Sequence, residues 1–165
     1  MEKFIDKIDS YNIFTSIIPG CVLARLLSLL GLYDVQVEGT VASLVLYYFF
    51  GVVAGRIGSL IVESKLLAWH MINYAPRKEY IKAAQEDTDV KKLLEVSNMY
   101  RTFAGVFLLL LITKAYQIVA GFLNLSSAVT GWLSVVTLLL LFVLSFIKQS
   151  ENIVKRVTAV NEASD

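Results

Sequence analysis

Cysteine, histidine and proline are almost missing from this chain of 165 residues, which has one Cys, one His and two Pro. A lone Cys21 excludes an intramolecular disulfide and a cysteine metal cluster. His70 stands alone too, with no Cys, Asp or Glu cluster at ligand spacing, so it reads as a surface or interfacial residue and no metal site is expected. There is no G-x-S-x-G, no phosphate-binding glycine loop and no carboxylate pair set in an apolar run. An enzyme is therefore not expected, and neither a catalytic residue nor a cofactor is assigned. Charge is also scarce, at 18% of residues, and no Asp or Glu falls deep in any apolar run. That gap argues against a proton-coupled exporter, which needs a membrane-embedded carboxylate.

What is abundant is apolar surface: 56% of residues are hydrophobic, and the mean hydropathy is +0.64. The apolar residues come in four blocks, 13–32, 41–62, 102–121 and 130–147, each about 18 to 22 residues, enough to cross a hydrocarbon core of roughly 30 Å. The expected fold class is an all-α integral membrane protein with four transmembrane helices, helices two and three being extended into a cytoplasmic helical cap. The expected layout is an N-terminal amphipathic helix (1–12), a first hairpin (13–62), a helical connector (63–101), a second hairpin (102–147) and a tail (148–165).

Twelve of the fifteen Lys and Arg residues lie outside the blocks, all in the N-terminal segment, the connector or the tail, and none in the short loops 33–40 and 122–129. The positive-inside rule then predicts both termini and the connector in the cytoplasm, at a bacterial inner membrane crossed several times. The segment before the first block carries Glu2, Asp6 and Asp9, and no small-residue cleavage site follows Leu30, which speaks against a signal peptide. Phe4, Ile5, Ile8 and Tyr11 share one helical face, opposite charged neighbours, as in a helix lying on a membrane surface or on the connector. Pro19-Gly20 predicts a kink or a late start to the first helix. In the second block Gly51, Gly55 and Gly58, with Ala54 and Ser59, form a small-residue stripe that lets another helix approach closely. The stripe serves packing within one chain or between chains, and spacing alone leaves both open.

Between the hairpins, 63–74 holds no helix breaker before Pro76, so the second helix is expected to continue beyond the apolar block. A short helix is predicted near 78–86. Asp87, Thr88 or Asp89 can then cap a helix running on into the third block. The connector charges are mixed in sign, as on a solvated helix face.

The most informative side chains are three cations inside the apolar blocks, Arg25, Arg56 and Lys114. A charge in hydrocarbon costs about 3 kcal/mol on insertion scales, so such residues pair, snorkel to lipid phosphates or line water. Arg56 and Glu63 are seven residues apart and share a helical face without touching readily, which calls for partners on another helix or chain. Arg25, Arg56 and Lys114 are the candidate pore or intramembrane charges.

Three stretches, Pro19-Gly20, RIGSLIVE at 56–63 and EVSNMYR at 95–101, together resemble a group of small bacterial four-span membrane proteins of the anti-phage effector type, with the layout of the Hailong effectors. The layout covers nearly the whole chain, the motifs only some of it. The resemblance implies a homo-oligomeric, channel-like protein held in check or triggered by an oligonucleotide or cyclic nucleotide made by a partner nucleotidyltransferase. A polyphosphate would seek convergent cations, and the connector offers Arg77, Lys78, Lys82, Lys91, Lys92 and Arg101 as candidate ligand-binding residues. The chain thus admits two readings: an oligomeric channel or pore, with a tetramer favoured, that depolarises the membrane under nucleotide control, or a non-conducting scaffold or adaptor binding a cytoplasmic protein. The expected partners are the bilayer, further copies of the chain and the nucleotide, not double-stranded nucleic acid.

Overall fold

The structure, a computed structural model, describes residues 16–35, 37–87 and 89–164, the last three through their backbone alone. The amphipathic helix expected at 1–12, the first residues of the first hairpin and Thr88 lie outside the described residues. Among the described residues every regular element is helical. Helix α1 is Ile18–Leu29, α2 is Thr40–Ala68, α3 is Arg77–Glu86, α4 is Asp89–Phe122 and α5 is Ser127–Ser164. Three helices, in α2, α4 and α5, are long and apolar enough to cross a membrane. Pro19 is the second residue of α1, and Ser16 and Ile17 before it are π-helical.

Helices α1, α2 and α4 pack as one three-helix unit. Its core is Leu23, Leu27, Leu32, Ala54, Val106 and Leu110, with Phe50 and Leu109 against it. Backbone proximity is what makes so small a core possible. Gly20 faces the Tyr47 carbonyl, Gly51 faces the Ser16 carbonyl, and Gly105 faces the Ala54 carbonyl so closely that a Cβ at any of them would overlap that oxygen. Gly58 likewise lies on the Arg101 carbonyl. Gly51 and Gly58 of the stripe are therefore engaged within the chain, on opposite neighbours, whereas Gly55 has only ordinary contact with Thr102.

Two helix ends explain themselves through left-handed residues. The second helix stops at Ala68 rather than continuing toward Tyr74, because His70 takes φ 56°. The Met71 N–H then reaches back to the Leu66 carbonyl and the His70 N–H to the Leu67 carbonyl, the double bond of a Schellman cap. Asn124, at φ 51°, ends α4 with the same pattern on Gly121 and Ala120. Histidine and asparagine tolerate this region better than most side chains, so the stop needs no Gly or Pro. The connector helix begins directly after Pro76, and the Asp87 carboxylate accepts the Asp89 N–H at 2.8 Å as α4 starts. From Asp89, α4 runs unbroken through the third apolar block.

Helix α5 stands apart. Its apolar window is 6% buried. It meets α2 through stacked Phe49 and Phe142 rings, 6.3 Å between centroids, meets α3 near its C-terminal half, and meets α4 where the Tyr116 hydroxyl donates to Thr130 Oγ1 at 2.9 Å.

Candidate functional site

The polar centre of the molecule lies where the apolar blocks of α2, α4 and α5 give way to the connector. Within α2 the stretch Gly58–Glu63 is π-helical. A single π turn rotates the residues beyond it by about one residue's worth, roughly 100°, so Glu63 leaves the face that carries Arg56. This corrects the shared face expected from a regular α-helix. Such turns are rare and concentrate at functional sites.

Glu63, with its side chain 12% exposed, becomes the acceptor for three other elements. Its Oε2 accepts from Arg101 Nη1 of α4 at 2.9 Å, from Lys148 Nζ of α5 at 3.4 Å, and from the Ser59 hydroxyl one turn back at 2.9 Å. Its Oε1 accepts from the Tyr74 hydroxyl, in the segment leading to α3, at 3.1 Å. Lys148 Nζ also donates to the Ser59 carbonyl and to Ser59 Oγ, so the π turn itself is clamped to α5. Partial burial, the Glu63 charge and the hydrogen bond to Glu63 push the Tyr74 phenol above its usual range. A raised phenol keeps its proton, so the contribution of this bond to stability is complete below the ordinary phenol range. It is lost only as pH climbs through the raised value, and near neutrality it does not vary.

Two open cavities and one small one adjoin this junction. A groove of about 280 Å³ is lined by Glu63, Leu66, Tyr74, Asn98, Tyr100 and Arg101, and the buried Arg101 Nε beside it has no hydrogen-bond partner among the described residues. A second, of about 390 Å³, lies between α3, α4 and α5 with Tyr80, Gln85, Lys91, Glu95, Asn98 and Arg156 on its walls. The third is small, about 20 Å³, and is lined by Arg56, Ser59, Leu60, Ser145, Lys148, Gln149 and Asn152.

The candidate ligand residues do not converge. Arg77 donates to the carbonyl and side-chain oxygens of Asn152 at 3.0 and 2.8 Å, tying α3 to α5. Lys92 pairs with Asp89 at 2.7 Å on an exposed surface, Lys78 and Lys82 are exposed, and Arg101 is taken by Glu63. Lys91 alone of the six reaches the larger cavity, where its basic companion is Arg156. Of the three cations inside the apolar blocks, Arg25 and Lys114 are exposed and Arg56 is half-buried. None of the three has a hydrogen-bond or ion-pair partner among the described residues. Sequence reasoning misses Glu63 and Lys148 as site residues. The usable signal is Ser145, Lys148, Gln149 and Asn152 at i, i+3, i+4 and i+7, a polar stripe on one helical face pointing toward whatever acid lies at the same level. Among the described residues no group of three or more His, Cys, Asp or Glu could hold a metal ion.

Compared with known proteins, the chain matches no family model, no curated protein and no solved structure.

Proposed function

We propose that this chain is one subunit of an oligomeric four-span channel or pore in the bacterial inner membrane, with both termini and the connector cytoplasmic. In this reading it depolarises that membrane as an anti-phage effector, under control of a nucleotide ligand at the connector. The observation that carries the reading is the Glu63 junction. One carboxylate joins the ends of three apolar helices to the segment that leads into α3, so a displaced connector alters the packing of all three. Arg25, Arg56 and Lys114, without a partner among the described residues, supply cationic side chains for a water-filled path, which rings of one residue type around a symmetry axis can build. The first described helix, Ile18–Leu29, is taken as part of the first span, 13–32.

Expression in bacteria loaded with a membrane-potential dye tests the reading. Depolarisation that rises with expression is expected, and an unchanged potential at high membrane content would contradict a pore. Exposed Trp69 and Met71, 65% and 67% accessible beside Tyr74, favour as second reading a non-conducting adaptor; a cytoplasmic protein recovered with the chain and no change in potential would select it. Control at the connector makes a separate prediction. Lys91→Glu, on the wall of the larger cavity, is expected to weaken nucleotide binding at least about tenfold, the loss of one charge-assisted contact, whereas Lys92→Glu changes it less than about twofold. Calorimetry with a short oligonucleotide reads both, and equal effects would remove this cavity as the site.

A further inference from the structure

The small cavity between α2 and α5 combines three features. First, charge does not balance around it. Two cations, Arg56 and Lys148, line it with no carboxylate in its wall, and the one acid that Lys148 reaches, Glu63, is shared with Arg101. Other acids near this level, such as Glu151, are exposed and do not line it. Second, the donors are unevenly used. Ser59 and Ser145 spend their hydroxyl protons on Glu63 and on the Leu141 carbonyl, and Lys148 is engaged with Ser59 and Glu63. The Arg56 guanidinium and the amide nitrogens of Gln149 and Asn152 have no acceptor among the described residues. Third, the cavity is small, about 20 Å³, with room for about one water-sized particle.

We propose that this cavity binds a monoatomic anion, chloride in a cell, held by the Arg56 guanidinium and the Gln149 and Asn152 amides within the field of Lys148. A local excess of cations raises the affinity for a counter-ion, and the unoccupied donors are directional. Water alone would fill the volume but would leave the charge uncompensated. Because Asn152 also receives Arg77 of α3, occupancy bears on the contact between α5 and the connector. The inference concerns one subunit and stands whether or not the protein conducts.

Purified full-length protein in detergent is melted in sodium chloride and in sodium gluconate of equal ionic strength. Chloride is expected to raise the Tm in a saturable way, by about 3 °C once the site is filled, with bromide acting alike. Loss of that difference in Arg56→Gln, or in Gln149→Leu should the first variant fail to fold, supports the site, with Lys114→Gln retaining it as the remote control. Equal melting in chloride and gluconate would overturn the proposal. So would a chloride shift that survives both cavity variants, or one that disappears equally in Lys114→Gln.

Discussion

Replacing Glu63 with alanine is expected to lower the unfolding free energy by about 2–4 kcal/mol, the largest effect of any polar substitution in the chain. The reason is what stays behind. Arg101 and Lys148, each with a side chain 30% exposed, lose their shared carboxylate and remain as two cations on the same spot. Removing one partner of a buried ion pair costs more than the pair is worth, because an uncompensated charge is left poorly solvated. The remaining exposure, and the freedom of a lysine to extend toward water, bring the figure below that of a fully buried pair. The asymmetry is itself a test: Lys148→Met, which removes one cation of an excess, is expected to cost less than about 1 kcal/mol. Reversible unfolding in mixed micelles measures both, and equal losses would show that Glu63 is not the hub.

Gly105→Leu is expected to cost at least about 3 kcal/mol, and it acts by a different route. A Cβ at position 105 meets the Ala54 carbonyl oxygen inside contact distance and stands 2.9 Å from both the Ala54 carbonyl carbon and the Gly58 nitrogen. These are backbone atoms, which cannot turn aside as a side chain can, so α2 and α4 must separate. Separation opens the Ala54 and Val106 contact at the centre of the core, where both are 0% exposed. Gly131→Ala provides the contrast: nothing lies within 4 Å of a Cβ there, and alanine in mid-helix is expected to stabilise by about 0.5–1 kcal/mol. Thermal melts of the two variants in one detergent check the pair. A Gly105→Leu protein that melts with the parent would mean that α2 and α4 do not cross as described.

The apolar blocks made much of this fold legible. Blocks 41–62, 102–121 and 130–147 lie within Thr40–Ala68, Asp89–Phe122 and Ser127–Ser164, because helices of membrane-spanning length need continuous apolar sequence. A helix near 78–86 was readable too, as was a cap for the next helix at Asp87, Thr88 or Asp89, of which Asp87 is the one seen to accept a backbone N–H. What spacing could not convey was set by tertiary geometry. Whether the glycine stripe served one chain or two depended on which backbone lay opposite, and Gly51 and Gly58 find theirs in Ser16 and Arg101. The end of α2 depended on His70 accepting a left-handed conformation, which no breaker residue announces. The partners of Glu63 lie 38 and 85 residues away in sequence, and a π turn, invisible to a 3.6-residue period, rotates the carboxylate toward them. Arg101 was legible as a cation and not as the partner of this acid.

At the centre of this account is the claim that Glu63 and Arg101 are energetically coupled, so that the connector end of α2 and α4 moves as one unit. A double-mutant cycle over Glu63→Gln and Arg101→Gln, read by unfolding in mixed micelles, measures that coupling directly. With the 2.9 Å contact intact, the account predicts an interaction energy of at least about 1 kcal/mol, the double variant being more stable than the two single losses would add up to. Losses that simply add, within about 0.3 kcal/mol, would contradict it.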